Sequence, residues 1–553
     1  MQKKYLILFG IILLRLTFIL FSAGQLYYGD EVTFIEAASE IASGQVTGHY
    51  DYSGGKSEEN MSSMLRHPPV YVYLLALFIF LFGENPYSIR AVSSLFTVGS
   101  VILVYFITKR ILENRNTEKA ETWALVAAFI YAISPIAIQN NILVDIDGGL
   151  LTFSVLLFLY FYISKKNLAY LIPSLFLVFA SKLMAPTILF ASLLLVNICA
   201  KDYQEILKVI KLFIIAGASF FLVFFIYVKI FNLDWSFLFS TSSILGVLKL
   251  WIPPTPLLVA RCLWGFKIFF YFATPPLIFL FIVISYKVLR NSLASKLSYV
   301  KENKDIVLLW IFAILIIAVV FMAGLSGWNF AKHYIASIPP IIILIVYFTP
   351  KRIKNIRQIS FLIFFTTLIL SLYFIFFLKD PLVPESQGRF LTVSFSEVAK
   401  PVLIRFFMYA IVPIFLCIGL FKRIPLKKIW LTLFFLLIFT SLYIDIMQSR
   451  ADYSTHYLYG DKGLKEVIDY MKDKPPNQIL CYMHVGYYLG FREIYELTSI
   501  YYDEPKLKEI INKKEIKWII LYQKDIISIG NDTLKDFELE KEIGSYKILK
   551  RIN

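Results

Sequence analysis

Asp30 and Glu31 are the residues of this chain best suited to chemistry: two adjacent carboxylates that follow Tyr27-Tyr28-Gly29, just beyond the first apolar stretch. Asp is a favoured helix N-cap and acids suit the positive end of a helix, so the helical stretch running on to Ile41 accounts for one carboxylate. A cap needs only one acid. The second points to a metal, a bound cation or proton transfer. A further acidic cluster, Asp145-Ile146-Asp147-Gly148-Gly149, has no basic residue in its own loop. Two carboxylates one residue apart can share a hard divalent cation such as Mg²⁺ or Mn²⁺, with glycines letting the backbone approach. The plainer alternative is a turn followed by a capped helix.

Basic groups recur near the ends of apolar segments. Arg66-His67-Pro68-Pro69 opens one of them. Proline suits a first helical turn and a histidine there is commonly solvated, but Arg66 with His67 can also form a cationic, hydrogen-bonding pair for a phosphate. Lys182 ends one segment, where a lysine can simply snorkel, and Lys332-His333-Tyr334 starts another. Arg15 lies inside the first apolar span, a costly place unless it is paired, and the sequence does not name its partner.

The elements that must position these groups are membrane helices. Of 553 residues, 58% are hydrophobic, and the mean hydropathy of +0.68 is far above that of an ordinary soluble chain. Stretches long enough to cross a ~30 Å hydrocarbon core are expected at 5–23, 88–108, 121–139, 149–163, 168–184, 186–200, 212–231, 264–286, 305–324, 334–349, 358–378, 401–421 and 428–446, thirteen in all. The basic start and apolar body of Met1 to Ala23 resemble a signal peptide, but Ser22-Ala23-Gly24 is a poor cleavage site and the segment is taken as an uncleaved first span. The net charge of +16 comes largely from short loops between spans, a topology signal rather than a nucleic-acid footprint. Four scattered cysteines give neither a disulfide framework nor a zinc spacing.

One apolar segment, Pro68 to Phe82, is short and starts with two prolines. If it does not cross, Lys and Arg concentrate on the side of the N-terminus, which is then the cytoplasm. It is therefore expected to lie at the outer interface as an amphipathic or re-entrant helix. Every candidate site residue above then falls on the extracytoplasmic face. Residues 1–449 form the membrane domain, with 24–87 as the first outer loop, and residues 450–553 an outer soluble domain. In the latter, Leu464, Val467, Ile468 and Met471 follow helical spacing, and short apolar runs at Gln478–Met483, Trp518–Tyr522 and Tyr546–Leu549 suggest strands of a small α/β unit.

The order of first span, Gly29-Asp30-Glu31, His67-Pro68-Pro69, a Gly83–Pro86 turn, two spans and Asp145-x-Asp147 resembles the GT-C glycosyltransferases. Within them it is most similar to the protein O-mannosyltransferase and lipid A aminoarabinose transferase group. The resemblance covers residues 1–190, and Lys332-His333-Tyr334 with Pro339-Pro340 is similar to a later family motif. It implies a GT-C fold and transfer of a sugar from a polyprenyl-phosphate donor to a hydroxyl of a protein, lipid or glycan. Asp30 would be the general base of an inverting reaction, Glu31 would help position acceptor or cation, and Arg66, His67, Lys182, Lys332 and His333 would serve the donor phosphate. The aminoarabinose branch carries lysine where this chain has His67. Asp145 and Asp147 match either the single aspartate of one branch or the metal-binding loop of oligosaccharyltransferases, so a divalent cation (Mg, Mn or Zn) is the one cofactor the resemblance allows. The alternatives are a ligase using a diphosphate-linked oligosaccharide and a lipid or sugar transporter. Transporters usually bind at the bilayer midplane and often carry internal repeats, and no repeat is visible here.

Overall fold

The structure is a computed structural model that describes residues 3–22, 29–45, 68–117, 119–231, 269, 273–295, 298–324, 331–349, 426–453, 463–475, 478–489, 495–496, 511, 516–522 and 534–552. The membrane domain begins with α1 (Lys3–Ser22), α2 (Gly29–Ala42), α3 (Val70–Phe82) and α4 (Ser88–Glu113). It continues through α5 (Ala120–Ala132), α6 (Pro135–Ile142), a π turn at Asp147–Leu151 and α7 (Thr152–Ile163). α8 (Leu168–Ser181), α9 (Met184–Cys199) and α10 (Tyr203–Ile230) follow. The remaining described helices of the membrane domain are Pro275–Ala294, Ser298–Glu302, Lys304–Gly324, a 3₁₀ turn Ala331–Ser337 leading into Ile338–Phe348, and Leu426–Tyr453.

Among the described residues, five helices are long and apolar enough to cross a membrane, or six if α5 and α6 count as one span. The protein is a multi-pass membrane protein. The expected spans at 358–378 and 401–421 lie outside the described residues. The expected span 121–139 is broken: α5 and α6 meet at 61°, because Pro135 at the first turn of α6 has no N–H to continue the helix before it. The expected span 264–286 lies partly outside the described residues; its described helix Pro275–Ala294 runs past the expected end. The last membrane helix continues to Tyr453, past the expected domain boundary at 449.

α3 has 13 residues, a rise of about 20 Å and too short for a ~30 Å core. It is not amphipathic: Tyr71, Val72, Leu75, Ala76 and Ile79 are buried, while Leu77, Phe80, Leu81 and Phe82 on the other face are apolar and exposed. The exposed face is therefore apolar as well, against the expectation of an amphipathic helix. Its end is set by Gly83, whose φ of +74° favours glycine and whose N–H reaches Ile79 O. Asn85 Oδ1 then accepts the N–H groups of Tyr87 and Ser88, each at 3.0 Å, and starts α4.

The C-terminal domain has its own core and a five-stranded sheet. Its strands are β1 (Ile479–Cys481), β2 (Tyr495–Glu496), β3 (Trp518–Tyr522), β4 (Phe537–Ile543) and β5 (Tyr546–Arg551). The order is β2-β1-β3-β5-β4, parallel from β2 to β3 and antiparallel from β3 to β4. The helix Leu464–Met471 buries Leu464, Val467 and Met471 against this core, each worth roughly 1.5–3 kcal/mol. The short helix Met483–Tyr488 packs on α2, where Tyr487 Oη donates to Glu84 and Ser39 Oγ donates to the same carboxylate.

Candidate active site

The two acidic clusters meet. Glu31, fully buried in the first turn of α2, accepts the backbone N–H of Val144 at 2.9 Å. That bond ties the segment bearing Asp30 and Glu31 to the loop bearing Asp145 and Asp147. Asp30 lies in the same first turn of α2. Arg66 and His67 precede the described start of α3 and lie outside the described residues, as does the Asp30 side chain.

The Asp145–Asp147 loop is built by a tight turn. Asp145 Oδ1 accepts the Asp147 N–H at 3.0 Å, and Thr152 Oγ1 caps Asp147 O at 2.8 Å. The glycines serve a different purpose from the expected approach to a cation. A Cβ on Gly148 would come within 2.3 Å of Asn140 O, and one on Gly149 within 3.3 Å of Ser93 Cα. They let the π turn press against α6 and α4.

The acids have basic partners, from far away in the sequence. Lys332 Nζ sits 2.5 Å from Asp145 Oδ2, both side chains being nearly inaccessible. Lys182 Nζ reaches both oxygens of Asp147, at 2.8 and 2.9 Å, so it pairs rather than snorkels. His333 Nδ1 lies 3.1 Å from Asp147 Oδ2. Burial disfavours the Asp147 carboxylate, but the charge of Lys182, followed by His333 and Lys332, outweighs it and holds the carboxyl well below its usual range. Burial, then the charge of Lys182, pushes the His333 imidazole down against the pull of Asp147. Two carboxylates thus face two ammonium groups and an imidazole.

This donor set does not suit a divalent cation at Asp145 and Asp147. Each of their four oxygens already accepts from an ammonium, an imidazole or an amide, and a metal would have to displace lysines. Among the described residues, no group of three or more His, Cys, Asp or Glu side chains gathers as a metal site.

Other residues join the site without an obvious sequence signal. Tyr71 donates to or accepts from Ser93 at 2.9 Å and meets the edge of Phe34 at 5.6 Å, linking α3, α4 and α2. Arg90 Nε donates to Ile142 O at 2.8 Å, holding the end of α6 just before the acidic loop; its only signal is a charge at the head of an apolar span. Arg15 donates to Ala132 O at 3.0 Å and Thr97 Oγ1 at 3.3 Å, lies over the Tyr131 ring, and is near enough to Asp445 for their charges to interact. Thr97 also accepts from Asn141 of α6.

Residues 66–231 match the family described as dolichyl-phosphate-mannose-protein mannosyltransferase. No curated protein matches the chain by sequence. Among solved structures, the chain is similar to ArnT from Cupriavidus metallidurans bound to undecaprenyl phosphate, at 12% identity and a TM-score of 0.57, over 99% of this chain and 97% of that one. It is also similar to the archaeal oligosaccharyltransferase AglB from Archaeoglobus fulgidus in complex with an inhibitory peptide and a dolichol-phosphate, at 12% identity and a TM-score of 0.51, over 99% of this chain and 74% of that one. At these identities the likeness is one of fold. The chain therefore has the fold of the GT-C superfamily of glycosyltransferases, and its residues 66–231 match a family within that superfamily.

Proposed function

We propose that the protein is a membrane glycosyltransferase that moves a sugar from a polyprenyl-phosphate donor to an acceptor hydroxyl of a protein, lipid or glycan at the extracytoplasmic face. The observation that carries this reading is the Glu31 to Val144 bond, which sets the Asp30 turn beside a loop ringed by Lys182, Lys332 and His333. The fold, and the lipid phosphates named with ArnT and AglB, support a lipid-linked donor.

In this mechanism Asp30 takes the proton of the acceptor hydroxyl as its oxygen attacks the anomeric carbon from the face opposite the phosphate. The new C–O bond forms as the bond to the phosphate oxygen breaks, so configuration inverts and polyprenyl phosphate leaves with the electron pair. Negative charge grows on that phosphate, and cations fixed near it lower the barrier. Lys182 and His333 keep part of their side chains accessible and are assigned this role together with Arg66 and His67. Lys332, more deeply buried, holds Asp145 and thereby the loop. Glu31 positions the turn of the base.

The test is release of free polyprenyl phosphate from a panel of polyprenyl-phosphate sugars by purified wild type and Asp30→Asn, with a membrane extract as acceptor source. Release by wild type and not by a folded Asp30→Asn supports the assignment. Retained activity in the variant removes Asp30 as base, and no release from any donor shifts the reading to a diphosphate-linked donor.

A further inference from the structure

α4 has 26 residues, about 39 Å at 1.5 Å per residue, so its two ends lie at opposite faces of the membrane domain. Its first turns carry Arg90 and Ser93 at the acidic site. Near its last turn, α4 and the end of α7 enclose a cavity of about 300 Å³ whose walls include Phe106, Arg110, Tyr160, Ser164 and Lys166. Lys109 and Glu113 complete the lining, but they pair with each other at 3.6 Å, and Lys109 also holds Glu121 at 2.6 Å. The side chains of Arg110, Lys166, Tyr160 and Ser164 make no hydrogen bond or ion pair with any described residue.

Lys166 lies over the Tyr170 ring at 5.8 Å and Arg110 is near enough to Asp305 for their charges to interact, but neither is held by a hydrogen bond to a described residue. Two such cations and two hydroxyls around one cavity suit the oxygens of a phosphate ester, and a guanidinium can donate to two of them at once. The apolar part of the wall is aromatic: the Phe106 and Tyr160 rings stand 5.9 Å apart, and Phe106, one turn before Arg110, is part-exposed on the outside of the bundle. A free phosphate ion would use the donors and leave the apolar wall of the cavity uncovered. A phospholipid would use both, with its phosphate among the donors and its glycerol and upper acyl chain against the rings. This face also carries Arg115, Lys119, Lys165 and Lys201 in its short loops. Such loops mark the side of a membrane rich in anionic lipid, and basic pockets between helices there suit lipid headgroups.

We propose that this cavity binds the phosphate headgroup of one anionic phospholipid, held by Arg110 and Lys166 with help from the Tyr160 and Ser164 hydroxyls. The site is separate from the acidic cluster and does not depend on the reaction assigned to it.

The experiment uses the full chain in phosphatidylcholine nanodiscs. Phosphatidylglycerol is titrated in while the thermal midpoint is followed, and retained lipid is counted by native mass spectrometry. The expected result is a saturable rise in the midpoint with one retained phosphatidylglycerol, most of both lost in Arg110→Gln/Lys166→Gln and kept in Lys165→Gln, whose lysine neighbours the cavity without lining it. Inorganic phosphate or glycerol phosphate at equal concentration should not reproduce the rise. An equal rise in the double variant, or no retained lipid on wild type, would overturn the proposal, as would a full effect from the free phosphates. Should the double variant fold poorly, Ser164→Ala with Tyr160→Phe, which leaves the charges in place, should weaken lipid retention in the same assay, and unchanged retention would count against the site.

Discussion

Glu31 Oε1 and the Val144 amide are 113 positions apart in sequence and 2.9 Å apart in space, and both residues are buried. The bond joins the turn bearing Asp30 to the loop bearing Asp145 and Asp147, so it bears on activity through geometry. Glu31→Gln keeps an acceptor oxygen of the same reach and is expected to retain most of the transfer rate. Glu31→Ala strands a buried N–H, at about 1–3 kcal/mol, and frees the turn. A misplacement on the order of 1 Å can cost about hundredfold in rate, so its turnover should drop far more than its thermal midpoint does. Turnover and midpoint measured on both purified variants check this, and a Gln variant as inactive as the Ala variant would instead make the charge itself essential.

Gly148 and Gly149 are adjacent but not equivalent. A methyl group on Gly148 runs into the backbone carbonyl of Asn140 at 2.3 Å, which only a shift of the loop or of α6 can relieve. On Gly149 the nearest atom is Ser93 Cα at 3.3 Å, and a movement of a few tenths of an ångström suffices. Gly148→Ala should therefore destabilise by about 1–3 kcal/mol and suppress transfer, whereas Gly149→Ala should do clearly less of both. Expression yield, thermal midpoint and transfer rate of the two variants, compared side by side, decide it.

These two relationships also mark how far the sequence could be read. The helix starts at α4 and α6 and the five long apolar helices are legible because Asn85, Pro135 and long apolar runs act locally, whereas the expected spans at 149–163, 168–184, 186–200 and 334–349 are helices too short to cross by length alone. The break between α5 and α6 has a local cause in Pro135 that hydropathy averages away. The start of Pro275–Ala294 is likewise set by a proline pair and not by where apolar residues begin. The candidate acids, lysines and His333 are legible as residue types, yet their pairing is not. Lys332 meets Asp145 across 187 positions, and only the packing of the 3₁₀ turn Ala331–Ser337 against the π turn brings them together. Thr97 and Ala132 as partners of Arg15 are hidden in the same way.

The buried pair of Lys332 and Asp145 should show strong coupling. Lys332→Met leaves the Asp145 carboxylate without its ammonium in a site where both side chains are nearly inaccessible. Removing one member of such a pair typically costs about 3–5 kcal/mol. Asp145→Asn in the same chain removes the stranded charge and keeps an oxygen for the Asp147 N–H. The double variant is therefore expected to be more stable than Lys332→Met alone. Thermal midpoints of the wild type, both single variants and the double variant close the cycle. Additive losses would mean that the two charges do not depend on each other.

The same pairing bears on metal dependence. A divalent cation at Asp145 and Asp147 needs carboxylate oxygens that Lys332, Lys182, His333 and the Asp147 amide already occupy. Incubation with a strong chelator, followed by assay in chelator-treated buffer, is therefore expected to leave transfer unchanged. Added Mg²⁺ or Mn²⁺ should neither stimulate the enzyme nor shift its thermal midpoint. Lys182→Met sharpens the test, because removing that ammonium uncovers Asp147 Oδ1 and leaves only His333 on Oδ2, which should make a cation-dependent midpoint shift appear where the wild type has none. Loss of wild-type activity in chelator with rescue by either ion would show that the lysines give way to a metal during the reaction, and it would return the Asp145-x-Asp147 loop to the cation-binding role that its sequence suggests.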